Sequence, residues 1–285
     1  MLGKIIAVVN HKGGCGKTTT TCNLANAVAS RCKLRVLVID NDVQCNTTAM
    51  LLNGVNFDHS LYDVYKESPI PIEKIVLPTL VHENLHCFPN SRETATVEKR
   101  LNALNVQTKS FIGYRVLRNR IREYAIHNFD LVFIDNAPNL GIFVMNALLA
   151  ADFALVPHEA GSRNSLEGLT TAIGFIQEIQ NDPVDGNPEL KFLRVLVTMA
   201  KKRTMVFRAL MSQLRRHLSE EDIFRTIISD STQFQQSELA GITMLQLCPT
   251  AAGTLSYRDL ADELTGILDM RPTTAEDESY ERAAN

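Results

Sequence analysis

Residues 10–21 of this 285-residue chain read Asn-His-Lys-Gly-Gly-Cys-Gly-Lys-Thr-Thr-Thr-Thr. The glycines, Gly13, Gly14 and Gly16, carry no Cβ, so backbone N–H groups there can close on an anion. A helix opening directly behind them adds the partial positive charge of its N-terminus. Lys17 supplies an ammonium for β- and γ-phosphates, and the Thr18 hydroxyl supplies an oxygen for Mg2+. The chemistry this pattern supports is the binding of a nucleotide phosphate chain, with Gly13, Gly14, Cys15, Gly16, Lys17, Thr18 and Thr19 as the cradle. The usual spacing is G-x-x-x-x-G-K-[ST]. Here His11 stands at the first glycine position, and a second lysine, Lys12, precedes the loop. The plainer alternative is a Gly-rich turn between a strand and a helix, without a ligand.

Phosphoryl transfer also needs a metal, a placed water and positive charge for the transition state. Asp40 and Asp42 follow the aliphatic run 34–39, and Asp135 ends the run 130–135. Carboxylates at the C-terminal ends of parallel strands face the crevice where such sheets bind ligands. Asp135 and Asp40 would serve the metal with Thr18, directly or through water, since hard oxygens suit Mg2+. Asp42 would place the attacking water. Asp40 and Asp42 could instead cap the turn that follows them. One lysine suffices for a resident nucleotide, so Lys12 needs another task. It could cross a dimer interface to the partner's phosphates, as a trans-acting arginine finger does, or it could be a solvated surface lysine.

These groups need a sheet to hold them. Apolar runs at 4–9, 34–39, 85–88, 130–135, 153–157 and 192–198 read as strands, and 223–228 and 244–248 as later ones. Helical stretches lie behind the loop, near 93–105 and 111–127, from about 141, over about 163–180, up to about 218 and over 257–268, with short ones at 60–65 and 72–76. Arg115, Arg118, Arg120 and Arg122 spread around the stretch 111–127 and suggest a solvated face. Strands that are apolar throughout and alternate with helices predict an α/β fold. It is a doubly wound, mostly parallel sheet with helices on both faces. Residues 1–269 read as a single nucleotide-binding domain, and 270–285 as a polar, acidic, frayed tail.

Composition narrows the class. The net charge is −3, so the chain as a whole does not advertise nucleic acid. Its apolar runs are far shorter than the roughly 18 residues of a membrane span. It enters a strand at once, which predicts no signal peptide. Cys15, Cys22, Cys32, Cys45, Cys87 and Cys248 are scattered, and reduced cytosolic thiols are expected. Cys15 and Cys45 sit in the motif loops as small space-filling residues, although oxidation sensitivity is the alternative.

The form Lys12-Gly-Gly-Cys-Gly-Lys17-Thr18 resembles the deviant Walker A motif of the ParA/MinD family of P-loop ATPases. Asp40-x-Asp42-x-Gln44 looks like that family's D-x-D-P-Q switch, with Val43 in place of proline. Asp135-x-Ala137-Pro138 is similar to its Walker B segment. The stretch 154–157, with Leu166-Glu167-Gly168-Leu169 after it, resembles the next strand and helix. The likeness spans roughly residues 4–268. It implies a cytoplasmic, nucleoid-associated ATPase using ATP and Mg2+. It implies a nucleotide-sandwich homodimer in which Lys12 contacts phosphate in trans, Asp135 and Asp40 serve the metal and Asp42 places the water. ParA-like members bind DNA non-specifically and position plasmids, chromosome origins or protein cargos, and a ParB-like or adaptor partner stimulates hydrolysis. Segment 228–238 lacks the arginines that many such proteins carry there.

Rival readings share the loop. A membrane-positioning ATPase of the MinD kind should end in a basic amphipathic helix, whereas residues 273–285 are acidic and nearly devoid of large apolar side chains. An iron–sulfur carrier needs cluster cysteines, which Cys87 and Cys248 do not arrange. A nucleotide-gated DNA-binding scaffold with little turnover is the third. A local basic stretch favours DNA: between Leu190 and Ser219 there is no Asp or Glu, while Lys191, Arg194, Lys201, Lys202, Arg203, Arg208, Arg215 and Arg216 fall within it. Lys201 to Arg203 are expected to open a helix that carries Arg208, Arg215 and Arg216, the alternative being a solvated face balanced by acids elsewhere.

Overall fold

The computed structural model describes residues 2–270 except Glu67, Pro69, 109–111 and 162–164, and it leaves the side chains at 104, 106–108, 112 and 165 undescribed. The expected behaviour of the acidic tail beyond Met270 therefore lies outside the described residues.

The strands are β1 (Lys4–Val8), β2 (Val36–Asn41), β3 (Leu77–Pro78), β4 (Leu85–Phe88), β5 (Leu131–Asn136), β6 (Phe153–Glu159) and β7 (Lys191–Thr198). They form one sheet in the order β3-β4-β2-β5-β1-β6-β7, parallel throughout except for the short edge strand β3. Side chains alternate across it. Ile5, Ala7, Leu37, Ile39, Val132 and Ile134 pack on one face, and Ile6, Val8, Val36, Val38, Leu131 and Phe133 on the other. The runs read as continuously apolar because both faces are covered.

The helices are α1 (Lys17–Arg31), α2 (Asn46–Leu52), α3 (Leu61–Tyr65), α4 (Val97–Thr108), α5 (Val116–Arg120), α6 (Arg122–Asn128), α7 (Ile142–Ala150), α8 (Ser165–Asn181), α9 (Met205–His217), α10 (Thr232–Ala240), α11 (Met244–Leu247) and α12 (Ala252–Ile267). In α1 the threonine run after Lys17 is a weak helix former. Its helicity comes from tertiary burial: Leu24, Ala25 and Val28 pack with Leu260, Ala261 and Leu264 of α12 over one face of the sheet.

Four expectations need correction. Residues 223–228 are not a strand. They run beside β7, and Phe224 N and Ile228 N donate to Val195 and Val197 carbonyls, with only isolated bridges at Ile223 and Ser229. Residues 244–247 are helical, because Thr243 and Gln246 form a capping box. The stretch 111–127 is not one helix: α5 and α6 are separated at Ile121. Its arginines are not a solvated face either. Arg118 and Arg122 donate to the Leu149 and Ala150 carbonyls at the end of α7, Arg122 pairs with Asp152, and Arg120 donates to Ser68 O. Cations at a helix C-terminus satisfy its orphan carbonyls.

Candidate active site

β1 lies between β5 and β6 in the interior of the sheet, and the loop after it leaves at the carboxyl edge. Asn10 ties the loop's entry to β6: its Nδ2 donates to Pro157 O at 2.6 Å, and its Oδ1 accepts from Lys12 N at 2.9 Å. Gly14 and Gly16 have φ of 73° and 82°, left-handed values that a side chain would resist. A Cβ on Gly16 would find room, with the nearest atom, Met199 Cε, 3.6 Å away, so the dihedral alone demands glycine. Thr198 Oγ1 donates to Cys15 O at 2.9 Å and fixes the loop from the side of β7. Helix α1 then starts without a side-chain cap or an acid in its first turn, so its orphan N–H groups are left for another acceptor. The loop, the first turn of α1, Asp42, Gln44, Asp230, Ser231 and α10 enclose a cleft of about 580 Å³.

Lys17 is 7% exposed. Its Nζ donates to Lys12 O at 3.0 Å and lies 3.8 Å from Cys15 Sγ, and it makes no ion pair among the described residues. A buried ammonium held against a carbonyl and a thiol is a charge in want of an anion. Cys15 is itself buried, and that burial raises its thiol pKa, against the pull of Lys17 and other groups that lower it. This suits a packing residue better than an oxidation sensor.

Asp40 and Asp135 are register partners on β2 and β5, and both are fully buried. Asp135 Oδ2 accepts from Thr18 Oγ1 and Thr47 Oγ1, each at 2.7 Å, and Oδ1 accepts from Thr21 Oγ1 at 3.1 Å. Asp40 Oδ2 accepts from Thr48 N at 2.8 Å and Thr48 Oγ1 at 2.6 Å, and Oδ1 from Asp42 N at 3.2 Å. Burial pushes the Asp40 pKa up to about 7, opposed by the Thr48 hydroxyl and reinforced by Asp135. Burial also raises that of Asp135, against the Thr47 and Thr18 hydroxyls and the Lys17 charge. Asp42 lines the cleft, and its Oδ1 accepts from Gln44 N at 3.0 Å. Asp40, near the end of β2, thus accepts from the first turn of α2 and Asp42 from the turn before it, although the N-cap of α2 is Cys45 and carries no side-chain cap, and Asp42 also faces the cleft.

The cation expected here fits this donor set. Among the described residues no three His, Cys, Asp or Glu side chains converge on one point. Mg2+ needs few protein ligands, commonly one or two carboxylates beside phosphate oxygens and waters, and Thr18 with Asp135 behind it meets that pattern.

Lys12 does not project freely. Its Nζ is paired with Glu159 Oε2 at the end of β6, the two side chains being 26% and 28% exposed. A Cβ on Gly168 of α8 would meet Lys12 Cβ at 3.4 Å, an ordinary contact, so that helix lies close against the lysine's stem. Beside Glu159, His158 is fully buried, and neither of its ring nitrogens has a hydrogen-bond partner among the described residues.

The basic stretch is only partly as expected. Lys201 to Arg203 precede α9 rather than open it, because Thr204 is the N-cap, its hydroxyl accepting from Phe207 N. Arg194 pairs with Glu263 and Lys201 with Asp230. Lys202, Arg203, Arg208, Arg215 and Arg216 are exposed.

Sequence reasoning missed Thr21, Thr47, Thr48, Glu159 and Glu238, the last of which accepts from Thr19 Oγ1 at 2.5 Å. Thr47 and Thr48 carried a signal, since paired hydroxyls just behind two strand-end carboxylates are ready donors. Cys45, with φ of 56°, turns the chain sharply just ahead of α2, where both threonines lie.

Comparison with known proteins agrees with this geometry. A family model described as an AAA domain matches residues 3–192. The chain is 34% identical over 261 residues to the chromosome-partitioning ATPase Soj of Thermus thermophilus, covering 91% of this chain and 94% of that one. It is 30% identical over 264 residues to the sporulation initiation inhibitor protein Soj of Bacillus subtilis, covering 92% and 98%. Among solved structures, the ATP complex of a Cyanothece McdA variant superposes with a TM-score of 0.77 at 20% identity, covering 95% of this chain and 98% of that one.

Proposed function

Because this chain belongs to the ParA/MinD family of P-loop ATPases, we propose that it binds ATP with Mg2+ in the cleft above α1. ATP then pairs it with a second copy, and the pair grips DNA without sequence preference in order to position a plasmid, a chromosome region or a protein cargo. The observation that carries the reading is the buried Lys17 ammonium beneath a left-handed glycine loop, held by a carbonyl and in no ion pair among the described residues.

Each residue takes a role its surroundings allow. Gly13 to Thr19 present backbone N–H groups to the phosphates, and Lys17 supplies their counter-charge. Thr18 holds Mg2+ directly, oriented by Asp135, with Asp40 behind it. The cation when bound supplies positive charge for the transferring phosphoryl group. Asp42 holds the attacking water, and Lys12 of one copy reaches the phosphates of the other. Residues 1–269 act as one ATPase domain. The DNA face is Lys201, Lys202, Arg203, Arg208, Arg215 and Arg216, and a ParB-like or adaptor protein speeds turnover in the cytoplasm, over the nucleoid. No described helix is long and apolar enough to cross a membrane.

The test is phosphate release with ATP and Mg2+, with and without DNA. Slow, Mg2+-dependent release that Lys17→Ala abolishes is expected. ATP affinity unchanged in Lys17→Ala by calorimetry would contradict the assignment.

A further inference from the structure

The outer side of α9 and the segment 223–228 enclose a groove that the ATPase machinery does not use. Two adjoining cavities, of about 470 Å³ and about 510 Å³, share Met211, Arg215 and Ile227. Phe207, Met211 and Ile227 give an apolar floor, and Arg208, Arg215, Arg216 and Arg225 form the rim. Glu220 and Glu221 lie at one end. A half-apolar groove rimmed by arginines suits an acidic peptide with an aromatic anchor.

The chain carries such a peptide. Residues 271–285 read Arg-Pro-Thr-Thr-Ala-Glu-Asp-Glu-Ser-Tyr-Glu-Arg-Ala-Ala-Asn, four acids and two arginines, a net −2. The acids Glu276, Asp277 and Glu278 are consecutive, and Tyr280 follows two residues later. The tail also starts from the right place. Glu263 of α12 pairs with Arg194 on the groove wall and accepts from Arg225 N and Thr226 N at 2.8 and 2.9 Å. From Glu263 the helix continues only to Leu268, about 8 Å further on. Tyr280 is ten residues past Met270, a span of up to about 33 Å. The groove is within that reach.

We propose that the acidic segment 271–285 docks intramolecularly in the α9 groove. Glu276 to Glu278 lie against Arg208, Arg215 and Arg216, Tyr280 enters the floor of Phe207, Met211 and Ile227, and Arg271 passes Glu220 and Glu221. A tethered acidic segment meets these arginines at an effective concentration near millimolar. It therefore competes with any other polyanion for that face. The consequence for DNA rests on the DNA reading above, whereas the docking does not.

The test uses the full chain with Tyr280→p-benzoylphenylalanine, irradiated as nucleotide-free protein at low concentration and mapped by mass spectrometry. Cross-links within one chain to residues 207–227 are expected, several-fold weaker when Glu276→Gln, Asp277→Asn and Glu278→Gln are combined. Cross-links to other regions, none at all, or links joining two chains would each overturn the proposal. The neutralised tail should also raise duplex-DNA affinity several-fold. If the cross-links form as expected and DNA affinity does not change, docking stands and the DNA face lies elsewhere. If α9 arginine variants lose DNA but no cross-link to the groove forms, docking falls and the DNA reading stands.

Discussion

Lys12 is held within its own chain by Glu159, a residue 147 positions away on β6. The group proposed to act across a dimer is therefore parked in the single copy. Pairing must break this ion pair before the lysine can reach a partner's phosphate. A partly exposed ion pair is worth up to about 1 kcal/mol, so Glu159→Gln should lower the ATP concentration for half-maximal dimerisation by up to about fivefold. Lys12→Ala should leave ATP binding largely intact by calorimetry while dimerisation or turnover is lost. No change in dimerisation with either substitution would remove Lys12 from the interface.

Thr47 donates to the same Asp135 oxygen as Thr18. Thr47→Val takes away a hydrogen bond that favours the ionised acid, and removing a group that orients a metal ligand weakens metal binding by about 10- to 100-fold. A Mg2+ titration of phosphate release should shift by at least about tenfold. An unshifted titration would detach Asp135 from the metal.

His158 links stability to pH. Burial, aided by the Lys12 charge, lowers its pKa from 6.5 to about 4. Between these values the unfolded chain binds a proton that the folded chain refuses, so stability rises with pH across that window. The full difference is about 3 kcal/mol. His158→Leu should flatten the dependence of denaturant stability between pH 7.5 and pH 5 relative to wild type. Equal slopes would mean that the ring titrates freely.

The DNA face has a salt signature. Removing one side chain that neutralises a phosphate should reduce the log–log slope of affinity against salt by about 0.9. Arg203→Ala, Arg215→Ala and Arg216→Ala combined, in an ATP-bound Asp42→Ala background, should weaken duplex binding and flatten that slope. Unchanged affinity and slope would move the surface elsewhere. The arginines of α5 and α6 are poorer candidates than their sequence suggests, because Arg118 and Arg122 already serve the end of α7.

Much of this was legible in the chain. Six strands and the cradle could be read because a parallel sheet covered on both faces writes itself as aliphatic runs, and each run ends in polar residues at one edge. The readings at 223–228 and 244–248 failed because short apolar runs suit either state. At Met244–Leu247 the Thr243–Gln246 capping box decides, and at 223–228 the alternate carbonyls of β7 hold an extended segment that does not become a ladder. Pairings between distant positions were invisible: nothing local marks Glu159 as the partner of Lys12, or the α7 carbonyls as acceptors for Arg118. The start of α9 was missed by a few residues, since Thr204 takes the N-cap and Lys201 to Arg203, expected to open the helix, lie before it.

The central claim is that ATP drives two copies together and that Asp42 resolves the pair by placing water. Sedimentation of wild type and Asp42→Ala, each with ATP and Mg2+, tests it most directly. The account predicts a stable dimer for Asp42→Ala, a transient one for wild type and a monomer for both without nucleotide. The same monomer for both proteins in the presence of ATP would contradict it.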